Sequence, residues 1–237
     1  MENTILTDLH CHTVASAHAY STIKEYAEIA AQKGLEAIAI TDHAPGVTDG
    51  AHIYHFQNLV SLPRVINNVT ILRGAECTFQ NSRAELDLDG NVLKNLDIVI
   101  ASMHQSVYSP KDSDEHTGLL LCAMDNPYVD ILGHIGREKT EFDIEQVVLK
   151  AKKTKKLIEI NSSSLKGKRV WQRCARVALM CKKHDVPVVV TSDSHFCYDV
   201  GNFDSSLKLL SEAGFDMNLV MNSSLNKITD FLKQKER

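Results

Sequence analysis

The N-terminal stretch DLHCHTVASAHAYS, residues 8–21, carries three histidines within nine positions. Imidazole is both a general acid–base group and a ligand for zinc, manganese and iron. Further histidines and carboxylates occur where other β-like runs of the sequence give way to loops. The resulting candidate metal ligands are His10, His12, His43, Glu76, His104, His134, Asp193 and His195.

Strand geometry predicts that these distant residues act together. Side chains i and i+2 share a strand face, so His10 points with His12, and Asp193 points with His195. The C-terminal ends of parallel strands meet at one mouth of a barrel, where active sites lie. A single histidine at a strand end is more often a hydrogen-bonding residue than a ligand, but histidines end five separate strands here. Histidines and carboxylates without paired cysteines are typical of catalytic metal sites.

The elements that must position these residues alternate along the chain. Near-continuous apolar runs predict seven strands, at residues 4–10, 36–41, 69–77, 96–102, 129–134, 157–162 and 187–192. Helices are predicted at residues 22–35, 56–67, 114–125, 143–154, 169–185 and 203–214, with a short helix near the end and an excursion at 82–90. Thr22 and Glu25 fit the S/T-x-x-E capping box. This α/β pattern suits parallel strands buried on both faces, in either a barrel or an open doubly wound sheet.

Composition sets limits on the class of protein. The chain has 237 residues, is 43% hydrophobic and carries a formal net charge of -4, and its length permits one domain or two. Because the sequence shows no linker, low-complexity segment or fixed-period repeat, a single domain over residues 1–237 is predicted. The charge balance gives no basic footprint for nucleic acid, so no nucleic-acid partner is expected. Six cysteines without a CxxC pair predict reduced thiols and a cytoplasmic protein, and the sequence shows no apolar run long enough to cross a bilayer.

At the histidine-rich strand ends the sequence resembles the PHP superfamily, named for its polymerase and histidinol phosphatase members. The motifs that carry the resemblance are DLHCHT, ITDHAP, GAE and SDSH. The segments HTVASAHAYST and ILRGAE are most similar to the small single-domain phosphatases of that superfamily. The resemblance covers nearly the whole chain and implies a distorted (β/α)7 barrel with a trinuclear metal site at the C-terminal strand ends.

The resemblance also implies that His18 is a ninth ligand and that the nine divide among three divalent ions, with zinc as the first expectation and manganese or iron(II) as alternatives. His10, His12, Glu76 and Asp193 would hold one ion, His18, His43 and His195 a second, and Glu76, His104 and His134 a third.

Substrate recognition is expected from two loops. Close relatives usually continue the fifth-strand histidine as HPGNP, whereas this chain reads HIGRE at residues 134–138, which makes Arg137 a candidate phosphate contact. The loop NSSSLKGKR after the sixth strand precedes a helix N-terminus, where anions bind readily. Its candidates for contacting substrate are Asn161, Lys168 and Arg169.

Two further residues are candidates for supporting the chemistry. Asp8 lies on the strand face of His10, and carboxylates in such positions orient metal-binding imidazoles. His55 lies in the loop region after the second strand, where it is a candidate proton donor to the leaving group, with an ordinary surface histidine as the alternative.

These residues predict a metal-dependent phosphatase that hydrolyses a small phosphomonoester with a metal-bridging hydroxide. The second hypothesis is a phosphodiesterase or exonuclease of the same fold, and the third is a non-catalytic metal-binding protein. Histidinol phosphate is a narrower alternative for the substrate. The expected partner is a small phosphorylated molecule, with neither nucleic acid nor membrane.

Overall fold

The computed structural model describes residues 5–235; Thr4, where the first predicted strand begins, lies outside the described residues, as do residues 236 and 237. The strands are β1 (Thr7–Cys11), β2 (Ala37–Ile40), β3 (Val65–Ile66), β4 (Val69–Thr78), β5 (Ile98–Ser102), β6 (Ile131–Leu132), β7 (Leu157–Asn161) and β8 (Val188–Thr191). Seven of them form a parallel sheet in the order β1-β2-β4-β5-β6-β7-β8, and β3 pairs antiparallel with β4. Each predicted strand therefore corresponds to one strand of the parallel sheet.

The first and last strands nearly close this sheet into a barrel. Near the C-terminal ends, Cys11 and Ser194 form a parallel bridge. Near the N-terminal ends, Asn222 Nδ2 donates to Thr7 O at 2.7 Å and to Val190 O at 2.6 Å. Asn222 Oδ1 accepts from Val190 N–H at 2.9 Å, so an amide side chain replaces part of the strand ladder. The predicted (β/α)7 barrel is confirmed, and the open-sheet alternative is wrong.

Helices surround the barrel: α1 (Ile23–Gln32), α2 (Ile53–Asn58), α3 (Gly90–Leu93), α4 (Ser113–Ala123), α5 (Ile144–Thr154), α6 (Lys168–Lys183), α7 (Asp204–Glu212) and α8 (Leu225–Lys233). The capping box at the start of α1 is confirmed, because Thr22 Oγ1 accepts from Glu25 N–H and the Glu25 carboxylate accepts from Thr22 N–H. Asp143 caps α5 in a similar way, by accepting from Gln146 N–H at 3.0 Å. Local side-chain hydrogen bonds therefore fix where these helices begin.

The helix predicted at residues 56–67 is wrong. α2 ends at Asn58, a 3-10 turn covers Leu59–Ser61, and β3 follows. Pro63 accounts for the break, because proline lacks an N–H and disfavours helical backbone in the residue before it. Leu62 is indeed extended, with φ -69° and ψ 139°.

The excursion at residues 82–90 is tied back to the barrel by Asp87. The Asp87 carboxylate accepts from Gly46 N–H at 2.8 Å and from Thr78 N–H at 2.9 Å. It therefore joins the loop after β2 to the end of β4. Burial raises the pKa of Asp87 to about 6.

A hydrophobic cluster fills the barrel interior with residues from all seven parallel strands: Leu9, Ala39, Leu72, Ile98, Ile100, Ile131, Leu157 and Val189. Ile228 of α8 is fully buried in the same cluster. Leu225 N–H donates to Glu36, just before β2, and Lys235 Nζ donates to Asp97 O, just before β5. α8 therefore covers the N-terminal mouth, and the C-terminal mouth remains for a functional site.

Two expectations about the environment of the protein can be compared with the fold. None of the helices described between residues 5 and 235 is long and apolar enough to span a membrane. The six cysteines are unpaired, and all except Cys122 are buried, in keeping with the expectation of reduced thiols.

Candidate metal centre and active site

The nine candidate ligands converge at the C-terminal mouth of the barrel. Seven of them line a cavity of about 240 Å³: His18, His43, Glu76, His104, His134, Asp193 and His195. The ring centroid of His12 lies 4.3 Å from the centroids of His43 and His195, and 5.0 Å from that of His10. The structure thus brings together residues spread over most of the chain.

The backbone at the strand ends helps to place these side chains. His10 lies in β1 and Glu76 lies in β4, so both are held by the sheet. His134 and Asp193 follow strands and adopt left-handed backbone, with φ 29° and φ 53°. Aspartate is among the few residue types that enter this region with some ease. The turn at Asp193 keeps its Oδ1 3.8 Å from Nδ1 of His195.

Glu76 is the central carboxylate and is only 1% exposed. Its Oε2 lies 2.8 Å from His43 Nδ1 and 3.5 Å from His10 Nε2, while its Oε1 lies 2.9 Å from His134 Nε2. Burial alone would raise the pKa of Glu76, but the neighbouring imidazoles, His10 first, hold it well below its usual value. Glu76 is therefore ionised and touches several ligands at once.

Asp193 is the second carboxylate of the centre. Its Oδ1 lies 3.2 Å from His12 Nε2 and 3.5 Å from His10 Nε2. Its Oδ2 accepts from Asn161 Nδ2 at 3.1 Å and from Ser163 Oγ at 2.9 Å. Although burial would raise the pKa of Asp193, its interactions with His10 and His12 hold it well below its usual value. Oδ1 therefore faces the imidazoles, and Oδ2 is held by hydrogen bonds from Asn161 and Ser163.

Three of the seven candidate imidazoles have lowered pKa values that suit them to bind a cation. Burial lowers the pKa of His12, lowers that of His104 to about 3 and lowers that of His195 to about 4. A neutral imidazole offers a nitrogen lone pair to a metal ion. His10 and His43 differ. Burial lowers the pKa of each, but Glu159 and the cavity carboxylates raise that of His10 well above its usual value, and Glu76 raises that of His43. Their surroundings carry excess negative charge, which a bound cation would balance.

Several buried imidazole nitrogens have no hydrogen-bond partner among the described residues, which bears on whether the site suits metal ions. Nε2 of His10, of His12 and of His195 is buried and makes no hydrogen bond within residues 5–235. An unpaired buried polar group costs about 1–3 kcal/mol, so three together indicate a missing ligand. Groups of donor atoms lying within 4.8 Å of one another are His10–His12–Glu76, His12–His43–His195, His43–Glu76–His104 and His18–His43–Asp49. Nitrogen and carboxylate donors of this kind fit zinc, manganese or iron.

Glu159 in β7 is a functional residue that the sequence reasoning misses. Its Oε1 accepts from His10 Nδ1 and from Thr191 Oγ1, both at 2.6 Å, and its Oε2 accepts from His134 N–H at 2.6 Å. The bond from Nδ1 leaves Nε2 of His10 as the free nitrogen facing the cavity. The signal in the sequence is LIEIN, where a glutamate lies inside an apolar strand and so must have a partner if it is buried. The structure shows Glu159 to be 3% exposed.

The prediction that Asp8 orients an imidazole is wrong. Its carboxylate accepts from Ser192 N–H at 3.2 Å, from Ser192 Oγ and from Gly201 N–H at 2.8 Å. Within the described residues, its contact with His10 is to the backbone N–H, at 3.5 Å, and not to the ring. Burial raises the pKa of Asp8. Asp8 therefore fixes the segment after β8. Glu159, and not Asp8, is the carboxylate that orients the imidazole of His10.

His55 does not reach the wall of the cavity, which argues against its prediction as a proton donor. Its Nε2 lies 3.0 Å from Oδ2 of Asp42. The Asp42 carboxylate also accepts from Thr13 N–H at 2.7 Å and from Ser16 Oγ at 2.8 Å. Burial would raise the pKa of Asp42, but His55 lowers it to about 2. His55 thus pairs with a carboxylate beneath the loop that carries the N-terminal histidines.

Arg137 is the predicted substrate contact that the structure places at the cavity, where it lines the wall. The next residue, Glu138, is buried and accepts from Gln105 Nε2 at 2.9 Å. Arg169 and Arg173 both donate to the backbone carbonyl of Glu138. The HIGRE segment is therefore fixed on both sides, with Arg137 held at the mouth.

The other three predicted substrate contacts lie elsewhere. Asn161 is 3% exposed and holds Asp193, so it positions a candidate ligand and is not open to substrate. Arg169 donates to the carbonyls of Glu138 and Lys139, at 3.2 Å and 3.4 Å. Lys168 is exposed as the first residue of α6, outside the cavity wall. Basic residues near a helix N-terminus are thus used here mainly for loop structure.

Asp49 is a second residue that the sequence reasoning misses. It lies in the cavity wall, and its Oδ2 contacts Nδ1 of His18. Its backbone carbonyl accepts from Ala17 N–H at 3.0 Å. Burial would raise the pKa of Asp49, but hydrogen bonding and the charges of His43 and His18 lower it. A carboxylate six positions after His43 in a Pro- and Gly-containing loop gave only a weak signal in the sequence.

The family model for the PHP domain matches residues 8–195, a span that contains all nine candidate ligands. The chain belongs to the PHP domain family. Among curated PHP relatives, a probable phosphatase from Clostridium novyi is 42% identical over 230 residues, covering 96% of this chain and 94% of that protein. The resemblance drawn from the histidine motifs is therefore confirmed.

Two solved structures share the fold at low sequence identity. Histidinol phosphate phosphatase from Lactococcus lactis, complexed with zinc, L-histidinol and phosphate, superposes with a TM-score of 0.60 at 16% identity, covering 90% of this chain and 95% of that one. A chain of archaeal ribonuclease P with mature tRNA gives a TM-score of 0.62 at 16% identity, covering 95% and 91%. At this identity the likeness establishes the PHP barrel alone.

Proposed function

We propose that this protein is a metal-dependent phosphatase that hydrolyses a small phosphomonoester at the C-terminal mouth of its barrel. The observation that carries the proposal is the cluster of unpartnered imidazole nitrogens around Glu76 and Asp193. Relatives named as probable phosphatases align over nearly the whole chain and support the same reaction class. A hydrolase of phosphoric esters accounts for both findings.

The residues present fit a centre of three divalent ions. His10, His12, Glu76 and Asp193 would hold one ion, His18, His43 and His195 a second, and Glu76, His104 and His134 a third. Zinc is the first expectation, since the histidinol phosphate phosphatase of the same fold is complexed with zinc, and manganese or iron(II) are the alternatives. Divalent ions in such a site supply hydroxide at neutral pH and neutralise charge on phosphate oxygens.

The side chains of the protein contribute positioning and charge. Glu159 holds His10 in the tautomer whose Nε2 is free, and Thr78 Oγ1 lies 2.9 Å from Nδ1 of His104. Arg137 lines the cavity and would pair with a phosphate oxygen, because a guanidinium matches phosphate geometry. The cavity of about 240 Å³ is small, which favours a terminal phosphate over a phosphate inside a polymer.

The proposal is tested by metal analysis and by hydrolysis of two synthetic esters. The purified protein should contain stoichiometric divalent metal and should hydrolyse p-nitrophenyl phosphate faster than bis-p-nitrophenyl phosphate. His10→Ala and Asp193→Ala should each lose metal and activity, because both remove candidate ligands. Glu28→Gln, an exposed change on α1, is the matched control.

The possible results separate the three hypotheses. Preference for the diester would indicate a phosphodiesterase or exonuclease. Bound metal without turnover of either ester would indicate a non-catalytic metal-binding protein. Full metal content and full activity in both ligand variants would show that the site is wrongly placed.

A further inference from the structure

A second cavity opens beside the candidate metal centre. It has a volume of about 440 Å³, and its wall includes Ser162, Ser163, Lys166, Asp199, Asn202 and Ser205, which together we call the serine groove. Asp193 and His195 line both this groove and the metal-centre cavity. The groove and the metal-centre cavity therefore adjoin at these two side chains.

Asp193 shows how the two spaces are joined. Its Oδ1 faces the imidazoles of His10 and His12, while its Oδ2 accepts from Ser163 Oγ at 2.9 Å. Ser163 itself lines the serine groove. The Asp193 carboxylate thus lies between the two cavities. A phosphate bound at the metal centre would place its ester group in the serine groove.

The lining of the serine groove defines what fits there. Serine hydroxyls, the Asn202 amide and the Lys166 ammonium offer many hydrogen-bond donors and acceptors. Leu165 is the apolar residue of the described wall, which contains no Phe, Tyr or Trp ring on which a base or a phenyl group could stack. Lys166 and Asp199 carry opposite charges, so the groove does not favour a second phosphate. Its volume is within the range of small-molecule pockets.

We propose that the serine groove binds the polyhydroxylated part of a sugar phosphate, whose terminal phosphate lies at the metal centre. This inference rests on the proposed phosphatase function. In the reaction, the P–O bond to the sugar oxygen breaks, and water supplies an oxygen to phosphate and a proton to the sugar hydroxyl. Groove residues contact the leaving sugar, so they determine specificity and do not take part in bond cleavage.

The test compares sugar phosphates with an aryl phosphate. Ribose 5-phosphate and glucose 6-phosphate are assayed against phenyl phosphate, which carries a terminal phosphate but no hydroxyl groups. The expected result is a kcat/KM at least tenfold higher for one of the sugar phosphates, because a site built to bond hydroxyls discriminates against an analogue that lacks them. Asn202→Ala and Ser205→Ala should each reduce the sugar-to-phenyl ratio of kcat/KM by about tenfold, because each variant removes one hydrogen bond to the sugar.

Controls keep the groove and the phosphatase function apart. Lys153→Ala, an exposed change on α5, should leave the sugar-to-phenyl ratio as it is. Product inhibition by free ribose should weaken in Asn202→Ala while inhibition by inorganic phosphate persists, which gives a binding readout. Hydrolysis of phenyl phosphate without sugar preference, or a ratio insensitive to both groove variants, would overturn the groove proposal alone. Failure to hydrolyse any of the three esters would overturn the phosphatase function as well.

Discussion

Replacing Glu159 with glutamine changes the orientation of a candidate ligand without changing the shape of the side chain. The carboxylate has two acceptor oxygens, one facing His10 Nδ1 and Thr191 Oγ1, the other facing His134 N–H. Glutamine has a single acceptor oxygen. The backbone N–H of His134 can only donate, so the amide oxygen must face it, and the NH2 group then faces His10.

This arrangement reverses the tautomer of His10. Facing an N–H donor, Nδ1 becomes the acceptor and the ring proton moves to Nε2, the nitrogen that lies 3.5 Å from Glu76 and from Asp193. The opposite amide orientation instead leaves the His134 N–H unpaired and buried, at a cost of about 1–3 kcal/mol. Either outcome weakens the metal site. Changes to groups that orient metal ligands cost about 10–100-fold in metal affinity or activity.

We therefore expect Glu159→Gln to lower bound metal and kcat/KM for p-nitrophenyl phosphate by about 10–100-fold, or about 1.4–2.7 kcal/mol. Metal is measured by titration with a competing chelator, and Glu28→Gln is the exposed control of the same chemistry. Thermal unfolding of the metal-free proteins separates loss of fold from loss of the site. A folded Glu159→Gln protein with metal affinity and activity within twofold of wild type would refute this reasoning.

Three further changes test other parts of the molecule. Arg137→Met should raise KM for p-nitrophenyl phosphate about tenfold and leave metal content intact, since Arg137 lines the cavity without being a candidate ligand; an unchanged KM would count against its role. Burial raises the pKa of Asp87 from 3.8 to about 6, so its contribution to stability is greatest below pH 4 and is lost as pH rises to about 6. The difference in unfolding free energy between wild type and Asp87→Asn, measured in chelator, should accordingly shift by about 2 kcal/mol against wild type from pH 4 to pH 6.5, and a flat difference would contradict it. Ile228→Ala should lower the unfolding free energy in urea by about 2–5 kcal/mol, because Ile228 is fully buried beneath the barrel, and a loss under 1 kcal/mol would argue against that packing.

The sequence predicts the strands and the functional mouth, while the choice of a barrel over an open doubly wound sheet comes from the resemblance to the PHP superfamily. Continuous apolar runs locate the parallel strands, and the side chains at their C-terminal ends locate the mouth. The helix predicted at residues 56–67 fails because hydrophobic spacing outweighed Pro63, whose missing N–H ends helical structure. A proline inside a predicted helix is direct chemical evidence and takes precedence over periodicity.

At the site, residue type predicts the candidate ligands better than the residues that orient them. Ligands are histidines and carboxylates at strand ends, a position that can be read from the sequence. Glu159 and Asp8 are both carboxylates in strands, and only tertiary contacts decide which of them faces His10 Nδ1. Basic residues are equally ambiguous: Arg137 lines the cavity while Arg169 binds loop carbonyls, and their sequence surroundings do not distinguish the two.

The amide of Asn222 has a consequence for how the protein is made. It joins Thr7 in the first strand to Val190 in the last, yet it emerges from the ribosome after every strand of the sheet. The nascent chain can therefore pair most of its strands before Asn222 has been synthesised. The hydrogen bonds that join Thr7 to Val190 through Asn222 form only once the C-terminal segment has left the ribosome. Early termination before Asn222 would leave a complete set of candidate ligands on a barrel that lacks this link at the N-terminal ends of its first and last strands.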